Sequence, residues 1–326
     1  MFQTPLTKLF GMKYPILVGG MMWLSTSDFV AACARGGAMA FLTPRSHATP
    51  EAFEADLMRC LDRAEGAPFG VNFSISRFRS NDVNDRCLEI ALRHGITRYE
   101  TAGNSPAALV DRIHDGGGVV IHKVTNLRHA IKAAACGVDA IAVVGMEAGG
   151  HPGMNPHPGH VVLSEVLREI EIPVALGGAI GTGGQVLAAL AQGASAALLG
   201  SRFLTCDELR VHPNYKARMV KAGLDDTVAI LQSIKDTWRV LNNTTARQII
   251  ETEKRLGEAA AFSDFGDLLR GDYSHRHAHI GGDVEIGLMS MSAAVAHASG
   301  IASARDVVDQ LVSEMEMAWR RLSSYR

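Results

Sequence analysis

The stretch "IPVALGGAIGTGGQVLAALAQGASAALLGSRF", residues 172–203, decides the fold. It opens on a short apolar run and turns through glycines. An alanine-rich segment of helical spacing follows, and the chain resets at Gly193 into a second apolar run, "ASAALLGS" (194–201). Strands that are apolar throughout, alternating with helices, belong to a parallel sheet covered on both faces.

The same rhythm extends back to the start of the chain. Six earlier runs precede these two: "YPILVGG" (14–20), "GAMAFLT" (37–43), "PFGVNF" (68–73), "ITRYET" (96–101), "VVIHK" (119–123) and "DAIAVVG" (139–145). Amphipathic stretches such as "SDFVAACAR" (27–35) and "NLRHAIKAAAC" (126–136) lie between them. Glycines at the helix-to-strand joints (Gly36, Gly95, Gly116, Gly137 and Gly193) are expected to end helices in the left-handed conformation. Eight units in about 200 residues fit a (β/α)8 TIM barrel better than the competing doubly wound sheet. After residue 206 the rhythm stops. Residues 207–280 read as mostly helical, without strand signal, and are expected to form a helical cap inserted into a barrel built from 1–206 and 281–326, with a last helix near 303–324.

Composition bounds the function. The 326 residues are 47% hydrophobic and 20% charged, with a formal net charge of -2 and no basic block. Electrostatic capture of nucleic acid or of an anionic membrane is not expected. The N-terminus lacks the apolar core of a secretory signal, and no apolar run approaches the roughly 18 residues needed to span a bilayer. Five cysteines without C-x-x-C spacing suggest reduced thiols and a cytoplasmic location. A homo-oligomer is left open.

In a parallel barrel the loops at the carboxyl ends of the strands share one face, where active sites sit. Gly177 and Gly178 after the seventh strand, with Gly200 and Ser201 after the eighth, are placed to hold a phosphate through backbone N–H groups. The competing account is a pair of plain turns. Neither a Walker lysine nor a G-x-G-x-x-G opening is present, which argues against ATP or a Rossmann-bound dinucleotide. Lys123 ends a strand otherwise apolar, where it either stabilises negative charge on a ligand or reaches to solvent. Its neighbour His122 should point the other way. Asn72 and Ser74 share one side of the third strand and are placed to bond a polar ligand edge or to satisfy a loop. Glycines crowd His151 in "GMEAGGHPG" (145–153), and an imidazole at a strand's end can exchange protons near neutral pH. A rim histidine without chemistry is the alternative. Glu147 would orient His151 or cap its loop. Two histidine clusters, "HPGMNPHPGH" and "HRHAH", lack metal-site spacing, and no metal is expected.

Together "YPILVGGMMW", "PFGVNF", "TAGNSP", "VIHK", "GMEAGGHPG", "PVALGGAIGTGGQV" and "LLGSRFL" resemble the nitronate monooxygenase (2-nitropropane dioxygenase) family. Its relatives include FMN-dependent enoyl-thioester reductases and NAD(P)H:quinone reductases. The resemblance runs from about residue 10 to 205 and resumes near 282–293. It implies an FMN-binding barrel with Gly20, Met21 and Met22 beside the flavin ring and Asn72, Ser74 and Lys123 at its polar edge. Gly149 and Gly150 would approach the ring by backbone, Gly177, Gly178, Gly200 and Ser201 would hold the phosphate, and His151 and Lys123 would be catalytic. The implied activity is oxidation of alkyl nitronates with O₂. The alternatives are NAD(P)H-dependent reduction of a quinone or enoyl thioester, or flavin binding without turnover. Two positions depart from the family pattern: "GGM" replaces the "APM" of the nitronate-oxidising branch, and Met291-Ser292-Ala293 stands where relatives carry Ala-Gly-Gln.

Overall fold

The computed structural model describes residues 2–76 and 80–325. Eight parallel strands close into a barrel: β1 (Ile16–Val18), β2 (Met39–Leu42), β3 (Gly70–Ile75), β4 (Arg98–Gly103), β5 (Val119–Val124), β6 (Ala140–Val144), β7 (Val174–Gly177) and β8 (Ala196–Leu199). Each pairs with the next, and β8 returns to β1 through Leu17↔Leu198. Every expected strand is present, trimmed at its ends where the chain turns.

The helices are α1 (Pro5–Phe10), α2 (Ser27–Gly36), α3 (Pro50–Ala64), α4 (Asp82–Arg93), α5 (Ala107–Asp115), α6 (Leu127–Ala135), α7 (Gly159–Val166) and α8 (Gly183–Ala191). The helix α1 precedes the barrel, and the other seven follow β1 to β7 in turn. Among the joint glycines, Gly95, Gly137 and Gly193 have positive φ as expected. At the other two the left-handed residue is the next one, Gly37 and Gly117, because Gly36 is still helical and Gly116 has φ -82°. In a Gly-Gly pair either residue can take the turn, and packing decides which.

Alternation along the strands divides the interior into two layers. Val71, Phe73, Tyr99, Val120, Ile141 and Val143 point outward into the core shared with the helices. Leu17, Met39, Phe41, Ile121, Ala140, Ala142, Ala175, Ala196 and Leu198 point into the barrel, where Leu6, Phe10 and Met12 plug the amino end. Alanines on β6, β7 and β8 leave room that Phe10 and Phe41 fill edge-to-face, ring centres 6.3 Å apart. The floor is apolar and filled. Above it sit the polar residues Asn72, Glu100 and Lys123, while at the amino end Arg98 Nε donates to Phe10 O at 2.8 Å.

Past β8 lie α9 (Pro213–Val220), the strands β9 (Thr227–Ile230) and β10 (Trp238–Leu241), α10 (Thr244–Leu256) and α11 (Gly271–Ser274), which continues into a π-helical turn (His275–Ile280). The two antiparallel strands correct the expectation of a mostly helical segment without strands. Each has only four residues, and in "VAILQSIKDTWRVL" the apolar spacing imitates a helix. This segment has its own apolar cluster, including Ile230, Val240, Ile249 and Phe265. The last helix, α12 (Ala304–Ser323), packs on α8 and α2 and closes the outer ring. Among the described residues no helix is long and apolar enough to cross a membrane.

Candidate active site

The upper barrel is organised by a residue that the sequence reading passed over. Glu100, inward on β4, is 1% exposed and pairs across the ladder with Asn72 of β3. Its Oε2 accepts from Asn72 Nδ2 at 2.6 Å and Gly20 N at 2.9 Å, and lies 3.0 Å from Lys123 Nζ. A lysine inside a barrel is tolerated because this carboxylate compensates its charge. The available signal was a glutamate one residue from the end of "ITRYET" (96–101). A side chain on Gly20 would collide with Asn72, its Cβ only 2.5 Å from that of Asn72, so the bare backbone lets the turn after β1 lie on the network. His122 faces outward, as expected, and bonds Thr101 Oγ1 through Nδ1 at 2.8 Å. Burial, aided by the nearby Lys123 charge, lowers its pKa to about 4.

Ser74 lies further along the same side of β3, half-buried, with its carbonyl accepting from Arg45 Nε and Asn84 Nδ2. Met21 is half-buried, and its Sδ is the nearest group, 3.8 Å away, to a Cβ built on Gly200. The turns after β1 and β8 are therefore neighbours. Met22 leans toward Gly271 of the inserted segment, where Trp23 stacks on His275 with ring centres 4.2 Å apart. The other two histidines of that cluster turn elsewhere, His277 against Tyr273 and His279 against Tyr215.

Gly177 pairs with Leu198, so the β7 and β8 turns are adjacent as expected. Gly178, at φ 132°, leaves no space for a side chain, since a Cβ would sit 2.5 Å from Glu147 Oε1. Ser201 Oγ accepts from the buried N–H of Ser292, so the returning chain does reach this rim despite its unusual sequence. A cavity of about 380 Å³ flanks the Gly178 turn, with Glu147, His160, Gln185 and Arg239 among its lining.

The loop carrying His151 is gripped from the inserted segment. Gly150 N donates to Arg239 O at 3.0 Å and Arg239 N donates back at 2.7 Å. A Cβ on Gly149 would lie 2.6 Å from the Met291 carbonyl carbon. Gly149 thus has a packing reason in protein contacts alone, while Gly150 has room around it and owes its glycine to a left-handed φ of 85°. Glu147 does not orient His151; it accepts from Gly159 N at the start of α7. The His151 ring instead stacks on Trp238, and its Nε2 lies 3.9 Å from Asp236 Oδ2. The imidazole is half-exposed, its side chain 51% accessible, yet desolvation by the protein around it lowers its pKa against the opposing pull of Asp236. Trp238 and Asp236 lay in the segment without recognisable code, so sequence gave no route to them.

A family model described as "Nitronate monooxygenase" matches residues 3–314. The chain belongs to the nitronate monooxygenase family. It is an oxidoreductase of that family. It is 32% identical over 271 residues, covering 82% of this chain and 74% of the relative, to a Mycobacterium tuberculosis protein named as a hydroxy-methyl-oxo-octahydro-indene-carboxyl-CoA dehydrogenase. Among solved structures, FabK from Thermotoga maritima superposes with TM-score 0.89 at 28% identity and full coverage of both chains. Nitroalkane oxidase from Streptomyces ansochromogenes shares the fold at TM-score 0.82 and 22% identity, with 98% of this chain and 100% of that one covered.

Proposed function

We propose that this nitronate monooxygenase family member binds FMN across the carboxyl end of its barrel and uses His151 for proton transfer. The observation that carries the proposal is the cluster of Gly20, Asn72 and Lys123, all anchored on Glu100, beneath a rim of glycine turns. That donor set fits a flavin. A lysine ammonium and a carboxamide suit the acceptor-rich edge of its pyrimidine ring, and the uncrowded Gly200 turn, beside the Gly177 turn, would take the phosphate tail. When bound, FMN would accept an electron pair and hand it on.

Lys123 and Asn72 would bind and orient the ring, Met21 would pack beside it, and Gly178, Gly200 and Ser201 would hold the phosphate. His151, neutral near pH 7, would take the proton on the carbon next to the substrate's activating group, or return one. Residues 207–280 would act as the cap that shapes the substrate side, since they supply Trp238 and Asp236. The substrate is a small molecule, and the location inferred from the cysteines is cytoplasmic.

The family assignment supports oxidation of an alkyl nitronate with O₂. A second reading, NAD(P)H-dependent turnover of an enoyl thioester or quinone, is favoured by the "GGM" after the first strand and by the carboxyl-CoA dehydrogenase relative. The absorption spectrum of purified protein tests for FMN. Anaerobic mixing then separates the readings: bleaching by a nitronate alone supports the first, rapid bleaching by NADH or NADPH the second. Bound flavin that no donor bleaches would refute both.

A further inference from the structure

Glu100 is a buried charge for which the proposed chemistry has no direct use. It is shielded from the barrel mouth by the very groups it holds. Three donors converge on its Oε2, while Oε1 is buried and has no hydrogen-bond partner among the described residues. A Cβ built on Gly19 would stand 3.4 Å from Oε1 and 3.2 Å from Lys123 Nζ, so the backbone after β1 lies directly over the ion pair. Lys123 is the partly open member, its side chain 21% exposed against 1% for Glu100.

We infer that Glu100 is a positioning residue that sets the charge presented to FMN, an inference that rests on the flavin reading above. A lone ammonium at the base of the site would present a full positive charge to the ring. Paired at 3.0 Å with a carboxylate in a low-dielectric interior, it presents a dipole instead. Reduced FMN carries negative charge, so Glu100 weakens its preferential binding and keeps the bound flavin a stronger reductant. The same carboxylate fixes Asn72 and the Gly20 turn, so charge and geometry are set by one side chain.

The two partners then act with opposite sign, which a merely structural glutamate would not produce. Glu100→Gln keeps the shape and an acceptor oxygen but frees the ammonium. Lys123→Met leaves the carboxylate uncompensated. Both are compared with wild type by FMN titration and by equilibrium reduction against a reference dye. Glu100→Gln is expected to favour reduced over oxidised FMN about tenfold, a rise of about 30 mV for a two-electron couple. Lys123→Met is expected to lower the potential, and the double variant to return toward wild type. An unchanged or lowered potential in flavin-loaded Glu100→Gln overturns the inference. If that variant fails to fold, an unchanged potential in Lys123→Met overturns it and a lowered one supports it. Wild type that takes up no FMN sinks the flavin reading first, and this inference with it.

Discussion

The imidazole of His151 lies on the indole of Trp238, ring centres 4.6 Å apart and planes inclined by 27°, although 87 residues separate them. The indole is itself fixed by its Nε1–H donating to Ser290 Oγ at 2.8 Å. One face of the proposed base is thus covered by the inserted segment, which is in turn pinned by the returning chain. Replacing His151 by Ala should cost about 10²–10⁴-fold in kcat with FMN retained. Trp238→Ala should cost roughly tenfold, in line with about 0.5–1.5 kcal/mol for aromatic stacking, and Trp238→Phe should recover most of it. Steady-state kinetics decide, and near-full activity in His151→Ala removes the assigned role.

The same stack gives an optical handle on the proton. Protonating His151 should quench Trp238 emission. Because desolvation lowers the His151 pKa, the quenching midpoint should fall below the ordinary histidine value of about 6.5. A pH titration of fluorescence in wild type and His151→Ala tests this. A midpoint at or above 6.5, or the same curve in the variant, would contradict it.

Gly149→Ala should destabilise by about 1–3 kcal/mol, because the new methyl meets backbone at Met291 rather than a yielding side chain. Gly300→Ala, with open space around it, is the control. Urea unfolding of both variants makes the comparison, and equal midpoints would show that the loop moves aside at no cost.

Removing the Ser201 hydroxyl by Ser201→Ala leaves the buried Ser292 N–H without an acceptor, for an expected loss of about 1–3 kcal/mol. The returning chain should loosen locally, and hydrogen exchange at Ser292 reports it. Unchanged protection there would mean that another acceptor takes over.

Acid should weaken the fold in two windows. His122 and His279 are both held at a pKa of about 4 by burial, below the unfolded value of about 6.5. A buried histidine that resists protonation contributes fully above pH 6.5. Its contribution fades as pH falls toward 4, by on the order of 3 kcal/mol each. Asp56 acts lower. Burial pushes its carboxyl up, but hydrogen bonds from His47, Ser27 and Arg59 outweigh that and hold it well below the usual range. Its contribution is present above about pH 4 and disappears in stronger acid. Unfolding free energies at pH 7, 5.5 and 4.5 should decline steadily; a flat profile would show that one or both imidazoles charge freely in the native state.

Much of this architecture was legible because its signals are local. "DAIAVVG" and "ASAALLGS" show their strands by being apolar on both faces, and glycines mark the joints to within one residue. The rim positions followed from knowing which end of each strand opens on the mouth. The hairpin of β9 and β10 was not legible, since four-residue strands carry too short a pattern to outvote helical spacing nearby.

Sequence by itself determined the eightfold alternation, the glycine turns and the placing of His151 and Lys123 at strand ends, because a periodic pattern of burial and turn chemistry is written residue by residue. Only the tertiary structure decided that Glu100 would neutralise Lys123 and that Trp238 would face His151. Those pairings depend on barrel closure and on where an inserted segment folds back. Both are fixed by packing between elements distant along the chain, and no local pattern encodes them.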